Sequence, residues 1–153
     1  MIRVAVALGS NLGERQTHLE AALRHLRAFI HSVQASSFVD TEPVGVGTQP
    51  RFLNAAAVGD TDLSARQLLD ALLDAEAELG RTRPFPGAPR TVDLDLILYG
   101  DAVIDEPGLV VPHPRFRERY FVLAPLAEVA PDWVDPVTGL TAAQLLARVP
   151  HPS

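Results

Sequence analysis

The sequence predicts an α+β fold in which helices pack on an antiparallel sheet. Two segments repeat apolar residues with the 3.6-residue period of a helix, and several short apolar segments have the alternation of strands. Their order along the chain is strand–helix–strand–strand–helix–strand, which is the ferredoxin-like βαββαβ pattern. The length of 153 residues suits one hydrophobic core, so we expect a single domain spanning residues 1–153.

The first half of this pattern occupies residues 2–40. A strand over residues 2–8 leads into a turn in which Ser10 or Asn11 is the expected N-cap of the first helix. That helix continues to about residue 29, with its apolar stripe at Leu19, Ala22, Leu23, Leu26, Phe29 and Ile30. A second strand is predicted over residues 32–40, with one face formed by Val33, Ala35, Ser37 and Val39.

The second half follows residues 41–51, whose glycines and prolines predict a loop of functional length. A third strand covers residues 52–61. The second helix covers residues 63–79, with Thr61 or Asp62 near its N-cap and Gly80 as its C-terminal stop. Residues 82–89 form a second loop rich in proline, and residues 91–99 form the fourth strand.

Additional elements are expected beyond this core. A hairpin is predicted around residues 103–104 and 109–111, after a turn at Gly100 and Asp101. Two short helices fit residues 115–119 and 121–129, and a last helix fits residues 141–149. We find no internal repeat and no linker that divides the chain.

Composition excludes several kinds of chemistry. The chain has no cysteine, which excludes disulfides, thiolate catalysis and cysteine-bound zinc. Its net charge of −6 argues against broad electrostatic binding to nucleic acid. Lysine is absent, so a phosphate must be held by arginine, backbone amides or metal. Because residues 2–8 have the pattern of a strand and not of a signal peptide, we expect a cytoplasmic protein. Separately, we expect a monomer.

Two carboxylates on the fourth strand are the sharpest chemical signal. Side chains alternate along a strand, so Asp93 and Asp95 point to one face, while Val92, Leu94, Leu96 and Leu98 point to the other. Paired carboxylates at this spacing suit one or two Mg²⁺ ions against a polyphosphate. Two solvated aspartates on an exposed face are the alternative, although aspartate is unfavourable in strands.

A third carboxylate lies in an unexpected place on the second helix. At about 100° per residue, Glu76 falls within the stripe formed by Ala65, Leu68, Leu69, Leu72 and Leu79. A carboxylate in that position must be paired or must line a pocket. The alternative is a frayed last turn that lets Glu76 reach solvent.

Basic residues cluster around the second loop and the following turn. Arg81, Arg83 and Arg90 border the loop, and arginine forks suit phosphate oxygens. His113 lies between two prolines, which restrict its backbone and favour a fixed hydrogen bond to a phosphate. A solvated surface cluster and a structural turn residue are the respective alternatives.

Two aromatic residues and an amide complete the candidate set. Phe52 or Phe121 can stack on a flat heterocycle, and the Asn54 amide can hydrogen-bond its donor and acceptor edge. Packing in the core is the alternative for either phenylalanine.

Taken together, these segments resemble the 6-hydroxymethyl-7,8-dihydropterin pyrophosphokinases of folate biosynthesis. The resemblance covers nearly the whole chain and rests on six motifs in order. They are LGSNLG at 8–13, FLNAA at 52–56, Glu76 with LGRTR at 79–83, PRTVDLD at 89–95, VPHPR at 111–115, and ER at 118–119 leading to FVLAPL at 121–126.

The resemblance implies transfer of pyrophosphate from ATP to the hydroxymethyl group of the pterin, with release of AMP. It implies two Mg²⁺ ions at Asp93 and Asp95, and catalytic roles for Arg81 and Arg90 in a closing loop. The ATP contacts it implies are Glu76, Arg83, Arg90, Leu96, His113 and Arg119. The pterin contacts it implies are Thr41, Pro43, Val44, Gly45, Phe52, Asn54 and Phe121. The chain departs from the family pattern at residues 82–89, which are about one residue shorter and lack the usual tryptophan.

Two other functions use the same features. Paired strand carboxylates also suit another two-metal transferase, such as a nucleotidyltransferase. A non-catalytic small-molecule-binding domain of the same fold is the remaining alternative.

Overall fold

The computed structural model describes residues 1–10, 14–41, 52–80 and 92–150, and for Thr41 only the backbone. In chain order, its elements are β1 (Ile2–Ser10), α1 (Arg15–Leu26), β2 (His31–Ala35), β3 (Val39–Thr41), β4 (Phe52–Thr61), α2 (Ala65–Leu79), β5 (Asp93–Tyr99), β6 (Ile104–Glu106), β7 (Leu109–Val111), a 3₁₀ turn (Phe116–Glu118), α3 (Tyr120–Val129) and α4 (Ala142–Arg148). No helix in these described ranges has the length and apolar content of a membrane span.

The main sheet has the strand order β2–β4–β1–β5, and β3 also pairs with β4. All of these pairings are antiparallel. Strands β1, β2, β4 and β5 with helices α1 and α2 therefore reproduce the predicted βαββαβ arrangement, and the predicted fold class is confirmed. β6 and β7 form the predicted hairpin as a separate two-stranded sheet.

Both faces of the sheet are covered, because successive side chains of β1 enter two different hydrophobic clusters. Val4, Val6 and Leu8 pack in a first cluster with α1 and α2. Ala5 and Ala7 pack in a second cluster with α3 and α4. β1 is thus buried on both faces, which makes it the central element of the fold.

A bulge in the pairing of β1 with β5 corrects one predicted face. Val6 pairs with Leu96, but the preceding residue Ala5 pairs with Leu98, so Ile97 is the extra residue. Leu96 consequently lies in the first cluster and Leu98 in the second. The prediction that Leu98 shares a face with Val92, Leu94 and Leu96 is wrong, because strict alternation stops at the bulge.

The predicted single strand over residues 32–40 is two strands, β2 and β3. At Ser36 the N–H donates to Ala56 O at 2.8 Å, and the Ser36 hydroxyl accepts from Ala56 N–H at 2.9 Å. This side-chain bond replaces regular pairing and separates the two strands. The expected common face is lost: Val33 packs against the first cluster, whereas Ala35 and Ser37 are exposed.

The starts of two helices also differ from prediction. Ser64 is the N-cap of α2, since its hydroxyl accepts from Gln67 N–H and the Gln67 side chain accepts from Ser64 N–H. Thr61 and Asp62 precede this capping box. Ser10 belongs to β1, and α1 begins after Glu14, which makes no side-chain cap bond.

A buried ion pair holds the chain between α3 and α4. Asp135 has a side chain only 1% exposed, and it accepts from Arg117 Nη2 at 2.9 Å and from the Thr138 hydroxyl at 2.7 Å. Burial alone raises the pKa of Asp135, but the hydrogen bonds from Arg117, Thr138 and the Val137 N–H outweigh it and lower the pKa from 3.8 to about 2.

We predict that Asp135→Asn destabilises the protein at neutral pH. The pKa of Asp135 is lower in the folded than in the unfolded chain, so the carboxylate stabilises the fold above pH 3.8 and loses this effect as pH falls toward 2. The difference in free energy of unfolding between the wild-type protein and Asp135→Asn should therefore decrease by about 2 kcal/mol as the pH falls through this range. Urea unfolding at several pH values measures it. The exposed Asp132→Asn is the control, and a difference that does not depend on pH contradicts the prediction.

Candidate active site

The site is built on one row of paired residues that crosses three strands. Gly9 in β1 pairs with Asn54 in β4 on one side and with Asp93 in β5 on the other. Directly paired residues point to the same face of a sheet, so the Asn54 amide and the Asp93 carboxylate flank the glycine on one surface. Asn54 as a whole is 5% exposed. This row joins two predicted site residues from segments about 40 residues apart in the chain.

The two carboxylates of β5 share a face, as the alternation predicts. Asp95 pairs with Ala7, whose side chain belongs to the second cluster, so Asp93 and Asp95 lie on the face covered by α3 and α4. Both side chains are exposed. Their exposure leaves the carboxylate oxygens accessible, which a metal or phosphate site requires.

The two phenylalanines lie on the same side of the sheet as these carboxylates. The Phe52 ring atom Cδ1 is 3.8 Å from the position that a β-carbon on Gly9 would occupy. Phe121, in the first turn of α3, packs against the edge of the second cluster. Both rings are partly exposed, so core packing does not cover either of them completely. The arrangement leaves two aromatic surfaces for a flat ligand beside Asn54.

His113 is fixed beside Asp95 and Arg119. Its N–H donates to Ile97 O at 2.9 Å, and its Nδ1 accepts from Arg115 N–H at 3.2 Å. Burial, together with the charges of Arg119 and Arg115, lowers the pKa of His113 from 6.5, and Asp95 opposes this in part. The neutral ring therefore carries its proton on Nε2, which can donate to an anionic ligand.

Arg119 supplies a cation at the entry of α3. Its guanidinium carbon lies 5.6 Å from the centre of the Phe121 ring. This distance is that of a cation–π contact, which orients the side chain without neutralising its charge. Arg119 thus connects the aromatic part of the site with His113.

Glu76 is paired with the edge of the sheet. Its Oε2 accepts from Leu94 N–H at 2.7 Å, and β5 is the terminal strand of the main sheet. The carboxylate is therefore paired, which is one of the possibilities that the helical pattern left open. Leu96, on the same strand, has its side chain buried in the first cluster, so only its backbone is available to a ligand.

The donor set at Asp93 and Asp95 fits Mg²⁺. In the described part of the chain, no group of three or more histidine, cysteine, aspartate or glutamate side chains could hold a metal. Mg²⁺ commonly uses only one or two carboxylates and completes its octahedron with water and substrate phosphates. Two exposed carboxylates on one strand meet that requirement, whereas they do not provide the closed site that a structural zinc ion needs.

Some predicted site residues lie outside the described residues. They are Arg81, Arg83, Arg90, Pro43, Val44 and Gly45, together with the side chain of Thr41. Gly9 is a residue of this row that the sequence does not single out. The motif at residues 8–13 includes it, but its position between Asn54 and Asp93 follows only from the strand register.

Comparison with known proteins identifies the same family that the sequence motifs resemble. The family model of 7,8-dihydro-6-hydroxymethylpterin-pyrophosphokinase (HPPK) matches residues 5–131. A 2-amino-4-hydroxy-6-hydroxymethyldihydropteridine pyrophosphokinase of Bacillus subtilis is 47% identical over 126 residues, which are 81% of this chain and 75% of that protein. Its counterpart in Pseudomonas aeruginosa is 44% identical over 150 residues, which are 97% of this chain and 92% of that protein.

The fold recurs in a solved structure of lower identity. Plasmodium falciparum HPPK-DHPS superposes with a TM-score of 0.79 at 13% identity, covering 96% of this chain and 44% of that one. At this identity the likeness shows the fold alone. The chain spans less than half of that larger protein.

We predict opposite shifts of the His113 pKa when its two charged neighbours are neutralised. Asp95→Asn lowers the pKa, because the carboxylate that stabilises the imidazolium is removed. Arg119→Gln raises it, because a repelling cation is removed. An NMR titration of the imidazole resonances measures both. Shifts in the same direction, or none, contradict the placement of His113 between these charges.

Proposed function

Because the chain belongs to the 7,8-dihydro-6-hydroxymethylpterin-pyrophosphokinase family, we propose that it transfers pyrophosphate from ATP to 6-hydroxymethyl-7,8-dihydropterin and releases AMP. The structural observation that supports this activity most directly is the row Asn54–Gly9–Asp93. It combines a group for binding a heterocycle and a group for binding metal on one face of the sheet. The proposal treats residues 1–153 as one catalytic domain.

The pterin ring stacks between Phe52 and Phe121 in this proposal. Both rings lie on the face of the sheet that carries the row, and both are partly exposed. The buried Asn54 amide hydrogen-bonds the edge of the ring, which distinguishes a pterin from a flat hydrocarbon. Thr41, Pro43, Val44 and Gly45 contact the other edges, as the family resemblance implies.

ATP occupies the side of the site formed by β5 and the entry of α3. Asp93 and Asp95 would hold two Mg²⁺ ions, which neutralise charge on the triphosphate when bound. His113 donates its Nε2 proton to a phosphate oxygen, and Arg119 adds a positive charge there. Arg83, Arg90, the Leu96 backbone and Glu76 complete the proposed ATP contacts.

The reaction requires positioning and stabilisation of charge more than a protein nucleophile. The pterin hydroxyl oxygen forms a bond to the β-phosphorus, the bond from that phosphorus to the bridging oxygen of the α-phosphate breaks, and AMP leaves with that oxygen. The hydroxyl proton is released. Chain residues contribute by fixing the two substrates in line, with Arg81 and Arg90 closing over the transferred group. The cytoplasmic location and the monomeric state remain predictions from the sequence.

An assay of the products tests the proposed function. With ATP, Mg²⁺ and 6-hydroxymethyl-7,8-dihydropterin, we expect AMP and the pterin pyrophosphate in equal amounts. Release of ADP indicates a simple kinase, and release of pyrophosphate indicates a nucleotidyltransferase. Binding of the pterin without turnover indicates a non-catalytic protein. Any of these three results excludes the proposed reaction.

We predict that Asp95→Asn reduces turnover by roughly 100-fold or more at saturating substrates, because it removes one of the carboxylates that would hold Mg²⁺. The side chain is exposed, so the free energy of unfolding should change by no more than about 0.5 kcal/mol. Asp101→Asn, in the exposed turn after β5, removes an equal charge and should leave turnover unchanged. Normal turnover of Asp95→Asn contradicts metal binding at that residue.

A further inference from the structure

Gly9 has a backbone that does not require glycine. The described glycines with positive φ are Gly100, Gly108 and Gly139, whereas Gly9 is a paired residue inside β1. A glycine within a strand weakens it and often marks close approach of a ligand or another group. The glycine in this central strand is therefore explained by the limited room around it and not by its backbone conformation.

The space above Gly9 is limited by Asn54. A β-carbon on Gly9 would lie 3.0 Å from Asn54 Oδ1, which is too close for ordinary van der Waals contact. It would also touch the Phe52 ring, at 3.8 Å from Cδ1. The Asn54 side chain is buried, so its amide cannot move away freely. A methyl group at this position would therefore require the amide to shift by a few tenths of an ångström against its packed surroundings.

The space above Gly9 lies between the heterocycle-binding part and the metal-binding part of the proposed site. Asn54 and Asp93 flank Gly9 on neighbouring strands, so their backbones are separated by two strand spacings, about 10 Å. Without a side chain at Gly9, the surface between amide and carboxylate is bare backbone. A flat bicyclic ring can approach it closely enough to reach Asn54 at one end and place its substituent toward Asp93 at the other.

We propose that Gly9 is a specificity-determining residue of the pterin site, because its missing side chain sets the position of the Asn54 amide and the clearance beneath the ring. This inference rests on the proposed function. It predicts that a single added methyl group at Gly9 weakens pterin binding selectively, while ATP binding to the free protein is retained.

The test compares Gly9→Ala with the wild-type protein. We expect the dissociation constant of fluorescent 6-hydroxymethylpterin and the KM of the dihydropterin to rise by about tenfold or more, since small displacements of positioning groups have large effects. The dissociation constant of a non-hydrolysable ATP analogue should change by less than about twofold, because the added methyl group affects only the pterin side of the site. Equal weakening of both ligands, or unchanged pterin binding, overturns the inference.

Asn54→Ala provides the decisive comparison. If the methyl group acts by displacing the amide, adding Gly9→Ala to Asn54→Ala should weaken pterin binding by no more than about twofold further. Fully additive effects of the two substitutions overturn the inference. If Gly9→Ala alone does not fold, recovery of folding in the double variant supports the contact with Asn54. Failure of both proteins to fold overturns it.

Gly59→Ala is the matched control for a purely structural effect. Gly59 pairs with Val4 at the far end of the sheet, and a β-carbon there would lie 2.6 Å from His31 O. This substitution should lower the unfolding temperature but leave pterin affinity unchanged in the folded protein. Loss of pterin affinity in Gly59→Ala overturns the inference, because destabilisation alone would then explain Gly9→Ala. Failure of the wild-type protein to bind or convert the pterin instead refutes the proposed function itself.

Discussion

The register of β1 between β4 and β5 is the constraint on which the rest of the structure depends. β1 is hydrogen-bonded on both edges and buried on both faces from Val4 to Ser10. A shift by one residue would turn every side chain to the opposite face and would place Val6 and Leu8 in the second cluster, where β1 now contributes alanines. The packing of both clusters thus fixes the register, and the register in turn fixes which side chains flank Gly9.

The proposed active site begins where the second hydrophobic cluster ends. Ala7 and Ala56 pair with each other and pack beneath α3, whereas the next pair on that face is Gly9 with Asn54. One pair consists of two alanines and the next of a glycine and an asparagine. This difference is enough to change the surface of the sheet from packed and apolar to polar. The opposite face contributes through Glu76, whose bond to Leu94 N–H holds the edge strand that bears Asp93 and Asp95.

The sequence was sufficient for those features that follow from local periodicity. The helices, the order of elements along the chain and the common face of Asp93 and Asp95 need only the periods of 3.6 and 2. Leu98 was misplaced because a bulge depends on pairing with β1, which one strand does not reveal. Gly9 was missed for the same reason, since its neighbours Asn54 and Asp93 are distant in sequence. The capping role of Ser64 was recognisable from Gln67, three residues later, but was assigned to earlier residues.

An acidic chain can bind a polyanion here because charge is arranged locally. The net charge of −6 would repel ATP at long range, where salt screens it over about 8 Å. Arg119 and His113 lie close to each other and to Asp95, where the phosphates are proposed to bind. The pKa of His113 is lowered, so this donor stays neutral and does not depend on protonation near pH 7. Since a neutral imidazole supplies no charge, the positive field must come from Arg119, from the arginines of the family motifs and from the metal ions that Asp93 and Asp95 would bind.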